Sequence, residues 1–378
     1  MSKLRVAVLF GGKSGEHEVS VVSALSVYKA LDKKKYDVTL VGIDKEGRWL
    51  LPEQTKLLAQ SENPRLIKLN EIKNTVSMLT YETTKTIVSL DSKTGMGTEP
   101  SMKFDVIVPI LHGTYGEDGT IQGLLELAQI PYVGSGVLGS SVGMDKDMAK
   151  RVFRDAGIPI VPFLALKKIE FKANPKKYVD QAIATFGFPF FVKPSNLGSS
   201  VGVHKVKNEK QALDMIEDAF LYDTKVLIEQ GIDARELEVS VLGNANPKAS
   251  VVGEIIPKHE FYSYEAKYID ENGATLKIPA EPLTKAQSDQ IREMAIKAFS
   301  AIECAGLARV DFFLDRKSGQ IYINELNTIP GFTSISMYPK LWEATGLKYA
   351  DLLDELIKLA LERNSERKAL KTTYEPKF

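Results

Sequence analysis

The sequence predicts a multi-domain α/β chain, α+β in part, and three observations carry that prediction. Its 378 residues amount to two or three domains at about 100–200 residues each. The opening reads strand, helix, strand, which is the start of a layered α/β unit. The second half is rich in short apolar runs bounded by Gly, Pro and Asn, a pattern of further sheets.

The elements follow in order. Arg5–Phe10 is an uninterrupted apolar run ending at Gly11, as a strand buried on both faces requires. Val21, Ala24, Leu25, Tyr28 and Leu31 recur at helical spacing, and Asp37–Ile43 is the next strand. Residues 50–100 alternate Thr, Ser and Lys with Val, Ile and Leu and read as short strands and loops. Asp105–Leu111 is another buried strand, followed by the loop His112–Gly119, a helix over Ile121–Ala128 and a short strand at Pro131–Val133. Asp145–Ala156 is helical, and Gly157 suits its C-terminal cap. Pro189–Lys193, Lys225–Glu229, Val239–Leu242 and Val251–Ile256 are strands. Pro257–Pro279 is long, polar and aromatic, more like a functional loop than a connector. A helix covers Lys285–Glu303, strands cover Arg309–Asp315 and Gln320–Asn327, and Tyr349–Arg363 is an amphipathic helix before a charged, frayed tail at 364–378.

Composition excludes several classes. Lys+Arg and Asp+Glu both number 49, which argues against a protein whose whole surface grips nucleic acid or an acidic membrane. Cys304 is the only cysteine, so intrachain disulfides and multi-cysteine zinc sites are ruled out and a reducing compartment fits. No apolar run approaches the ~20 residues of a membrane span, and the first residues enter a strand rather than a signal peptide. Gly12-Lys13-Ser14 follows the first strand, but a phosphate-binding P-loop needs a Gly at position 7, which is Ala. Gly134-Ser-Gly136-Val-Leu-Gly139 matches G-x-G-x-x-G. The strand before it is short, and Asp155 sits on a helix rather than at a strand end. A tight inter-domain turn is the preferred reading, with a nicotinamide dinucleotide-dependent dehydrogenase as the rival of a different class.

The acidic hairpin Arg309-Val-Asp311-Phe-Phe-Leu-Asp315 and Gln320-Ile-Tyr-Ile-Asn-Glu325-Leu-Asn327 carries the chemistry. With Phe313 facing Ile323, antiparallel pairing sets Asp311 opposite Glu325 and Arg309 opposite Asn327, all on one face. Two carboxylates about 5 Å apart repel by roughly 3 kcal/mol at an effective dielectric near 20. Arg309 offsets part of this, and a hard divalent cation offsets it better. Two carboxylates and an Asn carbonyl suit Mg²⁺. Gly331 lets backbone approach a ligand, its N–H suits an oxyanion, and Ser336 with the following amide suits a carboxylate. Lys193 ends a buried strand and needs a partner, for which phosphate is a candidate, as it is for Lys146. Gly198-Ser199-Ser200-Val201-Gly202 offers amides and hydroxyls with little bulk, as a lid over phosphates would.

Together these segments resemble the ATP-grasp ligases, and more narrowly the D-alanine–D-alanine ligases. The resemblance rests on Leu9–Ser20, His112–Gly119, Val192–Gly202, Tyr264–Tyr268, Gly306–Asp311 and Asn324–Thr333, in family order. It implies a three-domain ATP-grasp fold with a Rossmann-like N-terminal domain. The expected boundaries are 1–134, 135–229 (with the lid) and 230–363 (with the metal site), before the tail at 364–378. It implies ATP-dependent ligation of two D-alanines through a D-alanyl phosphate for peptidoglycan precursor synthesis. D-alanine–D-lactate and D-alanine–D-serine ligases are the near alternatives. A cytoplasmic homodimer with no nucleic-acid or membrane partner is expected. By the resemblance, Glu16 binds the first D-alanine's ammonium and His112 lies near its carboxylate. Asp311, Glu325 and Asn327 hold two Mg²⁺ (or Mn²⁺). Lys146, Lys193 and Lys267 contact ATP phosphates. Glu229, Gln230, Gly231 and Ile232 form the adenine hinge, Glu236 meets the ribose, and Ser200 and Asn324 also face the nucleotide. Arg309 and the Gly331 amide stabilise the oxyanion, and Ser336 and Met337 take the second substrate's carboxylate. Ser199 and Tyr268 bridge to Glu16, and Tyr268 favours an amine as second substrate.

Overall fold

A computed structural model describes residues 2–52, 69, 75–80, 85–91, 94–258, 274–333, 335–371 and 373–374. Lys267 and Tyr268, and most of the polar loop between Pro257 and Pro279, lie outside the described residues.

The first unit is built on β1 (Leu4–Gly11), α1 (His17–Ala30), β2 (Tyr36–Ile43) and β3 (Trp49–Leu50). After these come β4 (Val76–Met78), β5 (Thr86–Leu90), β6 (Gly97–Lys103), β7 (Val106–Ile110) and α2 (Thr120–Leu127). The main sheet runs β3-β2-β1-β7, with β1 parallel to both β2 and β7. Val6–Phe10 is fully buried because both faces of the sheet are covered. Val6, Val8 and Phe10 face one core, and Ala7 and Leu9 face another closed by α2 and strands β4 and β5. The irregular 50–100 region contributes the antiparallel sheet β4-β5-β6. Pro131–Val133 forms no strand of its own, because only Tyr132 bridges to Ile107.

The linking helices α3 (Val137–Met144) and α4 (Lys146–Asp155) lead into the central unit. That unit comprises β8 (Phe163–Lys167), α5 (Lys168–Ala173), α6 (Pro175–Phe186), β9 (Phe190–Pro194), β10 (His204–Val206), α7 (Glu209–Tyr222) and β11 (Lys225–Gln230). Its antiparallel sheet runs β10-β9-β11-β8, with α6 and α7 on one face.

The last unit holds β12 (Ala234–Gly243), β13 (Lys248–Pro257), β14 (Ala274–Lys277), α8 (Lys285–Ala301), β15 (Gly306–Asp315), β16 (Ile321–Asn327), α9 (Met337–Ala344) and α10 (Tyr349–Lys368). Its antiparallel sheet is β14-β13-β12-β15-β16. Helix α10 does not stay with it. Leu352, Leu353, Leu356 and Ile357 join the core formed by Val6, Val8 and Leu40, so the end of the chain covers the first sheet. The helix also runs to Lys368, into the stretch expected to fray. The cause is partnering: Arg363 donates to the carbonyls of Tyr132 and Gly134, and Arg367 pairs with Glu126.

The glycine run at 134–139 has a packing explanation. Gly134 adopts φ +101, in the left-handed region that disfavours side chains. A Cβ on Gly139 would lie 2.7 Å from the Glu303 carbonyl oxygen, and backbone cannot yield there. Gly139→Ala is therefore expected to cost about 1–3 kcal/mol and lower Tm by several degrees. Gly123→Ala, on α2 with nothing within 4 Å of the added carbon, should be neutral or slightly stabilising by calorimetry.

Candidate active site

Three sheets deliver their polar ends to one place. Glu16 sits at the N-terminus of α1, just past the carboxyl end of β1, and His112 follows the neighbouring parallel strand β7. Crevices at the carboxyl ends of parallel strands are where such sheets bind ligands. Ser14 fastens the two loops, its hydroxyl donating to the His112 carbonyl at 2.7 Å and accepting from the Glu16 N–H at 3.1 Å. Glycines crowd the Glu16 carboxylate: a Cβ on Gly113 would come within 2.7 Å of Oε2, and one on Gly198 within 2.8 Å. The Ser199 hydroxyl donates to Glu16 Oε1, so the flap and the first unit meet on this carboxylate. Ser199 and Ser200 hold φ of 54° and 59°, a strained backbone for non-glycine residues.

His112 is buried, and burial pulls its imidazole below the ordinary value while Glu16 pulls it back. Its Nδ1 lies 2.9 Å from the Ile329 carbonyl, which only accepts, so this nitrogen carries the proton. Nε2 then accepts from the Ser23 hydroxyl at 3.3 Å. Ile329 is gripped from its other side too, its N–H donating to Glu117 Oε1 at 3.0 Å, while Gly113 N–H donates to Glu117 Oε2 at 2.9 Å. Glu117 was not among the expected residues. Its place inside the His112–Gly119 loop hides that it reaches a loop more than 200 residues on.

Burial, and next the Glu16 charge, push the Glu117 carboxyl up to about 8, against the pull of the Gly113 and Ile329 N–H groups. A carboxyl whose folded value is raised keeps a proton that the unfolded chain gives up. Its stabilising contribution is complete below the model-peptide value of 4.5 and is lost as pH rises through about 8. Glu117→Gln removes that titration. The Tm difference between variant and parent should shift in the variant's favour between pH 5 and 8.5, and a constant difference would exclude the assignment.

In the last sheet, Arg309 pairs with Asn327 and Asp311 with Glu325, on one face. The deeper register differs from the expected one: Phe312, not Phe313, pairs with Ile323, and Phe313 faces Tyr322. A bulge between Asp311 and Phe312 absorbs the extra residue, Asn324. The Arg309 guanidinium forks onto Asp311, both bonds 2.7 Å, and lies 3.1 Å from Glu238 on the adjacent strand. Asn327 Nδ2 donates to Asp311 Oδ2 at 3.0 Å. Burial opposes the Arg309 charge, but Asp311 and Glu238 outweigh it and hold the guanidinium protonated. Glu236 shares the β12 face of Glu238 by alternation.

Lys146 reaches across from α4, 3.3 Å from Glu325 Oε2 and donating to the Leu197 carbonyl at 2.7 Å. Lys193 lies 2.5 Å from Glu229 Oε2 and 3.3 Å from Asn324 Oδ1. A further lysine, Lys150, stands 2.8 Å from Glu229 Oε1. Residues 229–232 cross from the central sheet to the last one, with Gln230 N–H on the Pro162 carbonyl and Gly231 N–H on that of Pro189. Lys150 was missed because α4 is strongly charged. The available signal was the stripe 146, 149, 150, 153, which puts Lys146 and Lys150 beside buried Ala149 and Phe153.

Gly331 lies against Ser336, whose hydroxyl accepts from Thr333 N–H at 3.1 Å and bonds the Thr333 hydroxyl at 2.8 Å. Ser336 occupies the N-cap position of α9 without a side-chain capping bond, and Met337 is the first helical residue, so its N–H has no acceptor within the helix. The Met337 side chain is buried.

Among the described residues no group of three or more His, Cys, Asp and Glu side chains forms a metal-type cluster. Asp311, Glu325 and Asn327 do provide hard oxygen donors on one face, beside Arg309 and Lys146, which now offset the two carboxylates. That donor chemistry fits Mg²⁺ or Mn²⁺.

Comparison with known proteins completes the picture. Residues 5–135 match the family described as D-ala D-ala ligase N-terminus, and residues 152–358 match D-ala D-ala ligase C-terminus. The chain is similar to the D-alanine–D-alanine ligase of Oceanobacillus iheyensis, 49% identical over 371 residues, covering 98% of this chain and 99% of the relative. It superposes on the D-alanine-D-alanine ligase of Coxiella burnetii with a TM-score of 0.83, at 39% identity over 97% of each chain. It superposes on the VanG D-Ala:D-Ser ligase of Enterococcus faecalis with a TM-score of 0.81, at 34% identity over 95% of this chain and 100% of the other.

Proposed function

The chain belongs to the D-alanine–D-alanine ligase family, ATP-grasp enzymes that join two D-alanines with ATP for peptidoglycan, and from that premise we propose how its own residues divide the work. Glu16 takes the ammonium of the first D-alanine, and the His112 ring, pulled toward its neutral form by burial and oriented by Ile329 and Ser23, stands beside its carboxylate. Nucleotide lies between the central and last sheets. The hinge Glu229–Ile232 meets adenine, Glu236 meets ribose, and Lys146, Lys193 and Lys267 meet phosphates, with Ser200 and Asn324 alongside. Asp311, Glu325 and Asn327 hold two Mg²⁺ or Mn²⁺, which when bound neutralise phosphate charge.

A carboxylate is a poor electrophile, and phosphoryl transfer from ATP gives it a leaving group. The second D-alanine, its carboxylate on Ser336 and the Met337 N–H, then attacks through its amine. The Arg309 guanidinium and the Gly331 N–H face the oxygen that gains charge, and phosphate departs. Ser199 and Tyr268 close over Glu16. The observation that carries this reading is the register that sets Arg309, Asp311, Glu325 and Asn327 on one face, with Lys146 against Glu325. We further place the enzyme in the cytoplasm as a homodimer. No helix among the described residues is long and apolar enough to cross a membrane.

The test is phosphate release from ATP with D-alanine, L-alanine, D-lactate or D-serine added. Release that depends on D-alanine, with dipeptide as product, is expected. Mixed product with D-serine would favour the reading suggested by the D-Ala:D-Ser relative. NAD binding without phosphate release would mark a dehydrogenase. Tyr268→Phe should raise ester formation with D-lactate, and an unchanged amine preference across pH would remove Tyr268 from substrate choice.

A further inference from the structure

We propose that Lys150 is a positioning residue of the nucleotide site, which shares the Glu229 carboxylate with Lys193 and so leaves the Lys193 ammonium available to phosphate. The inference rests on the assignment of Lys193 and Glu229 to ATP.

Lys150 is 0% exposed, and a fully buried lysine is costly unless paired. It projects from α4 toward β11, where Glu229 is itself buried. The two oxygens of Glu229 are divided, Oε1 at 2.8 Å from Lys150 Nζ and Oε2 at 2.5 Å from Lys193 Nζ. The Lys150–Glu229 contact is close in distance but not aligned as a hydrogen bond, so it acts through charge. Burial opposes the Glu229 charge, yet Lys150 and then Lys193 outweigh it and hold the carboxyl below its ordinary value.

Burial and the Lys193 charge pull the Lys150 ammonium below its ordinary value, against Glu229 and Glu325; while it stays charged, two cations share the Glu229 carboxylate and leave a positive surplus there. A polyanionic nucleotide is attracted to that surplus. Without Lys150, Glu229 has a single partner, and Lys193 is neutralised by it at 2.5 Å. The charges of Lys193 and Glu325 also reach Lys150, but its close ion pair is with Glu229, and that contact is the route by which it acts on the nucleotide site. Lys150 and Lys146 lie one helical turn apart on α4, which ties the placement of both lysines to one rigid element.

The experiment is steady-state kinetics of the full-length enzyme. Lys150→Met is expected to raise the ATP KM about tenfold, with both D-alanine KM values and kcat within about twofold of the parent. In a Glu229→Gln background the Lys150→Met effect should vanish or reverse, because the carboxylate it acts through is gone. Equal rises in ATP and D-alanine KM, or an undiminished effect in the Glu229→Gln background, would overturn the proposal in favour of a merely structural lysine. Should Lys150→Met fail to fold by thermal melting, Lys150→Gln is read by the same criteria. Lys193→Met separates this proposal from the assignment beneath it. If Lys193→Met leaves ATP KM unchanged, both fall; if it raises ATP KM while Lys150→Met does not, the role of Lys150 alone falls.

Discussion

Glu325→Gln is expected to reduce Mg²⁺-dependent phosphate release by roughly a hundredfold or more. The substitution preserves shape and removes one negative charge from the Asp311–Glu325 pair. Its folded structure should survive, because Gln keeps the shape of the side chain and can still bond Lys146, which stands 3.3 Å from Glu325 and also donates to the Leu197 carbonyl. The loss should therefore appear in turnover and in Mg²⁺ titration rather than in Tm. Activity like that of the parent at ordinary Mg²⁺ would remove Glu325 from the metal site.

Arg309 is the second large lever, and its two roles separate experimentally. The guanidinium contacts Asp311 through a fork and Glu238 through a third approach. Arg309→Met strands two largely buried carboxylates, and breaking a buried pair typically costs about 3–5 kcal/mol. The same change removes the donor proposed to face the developing oxyanion, for which a fall in kcat of about a hundredfold to a thousandfold is expected. Arg309→Lys restores charge but not the fork. It should recover most of the Tm while leaving kcat low. Full recovery of kcat in Arg309→Lys would show that charge suffices and that fork geometry plays no part.

Much of this was legible in the amino-acid sequence. The run Val6–Phe10 announces a strand covered on both faces. The alternation around Asp311 and Glu325 gives the pairing that matters, because each register position there is fixed by long strands. The pairing nearer the turn was misjudged by one residue, since counting from Lys317–Gly319 cannot reveal a bulge further along. That bulge brings Asn324 toward Lys193. The other gaps share a cause: long-range partners leave no local trace. Lys150 sits in a charged helix and looks solvated, and Glu117 looks like a loop acid. The chain beyond residue 364 looks like a tail until Arg367 finds Glu126.

Ile329 is gripped at both its N–H and its carbonyl, by Glu117 and by His112. The loop after β16 is thus moored to the first sheet from both sides of one residue, so a change at Glu117 or His112 is passed along the backbone toward Gly331 and Ser336.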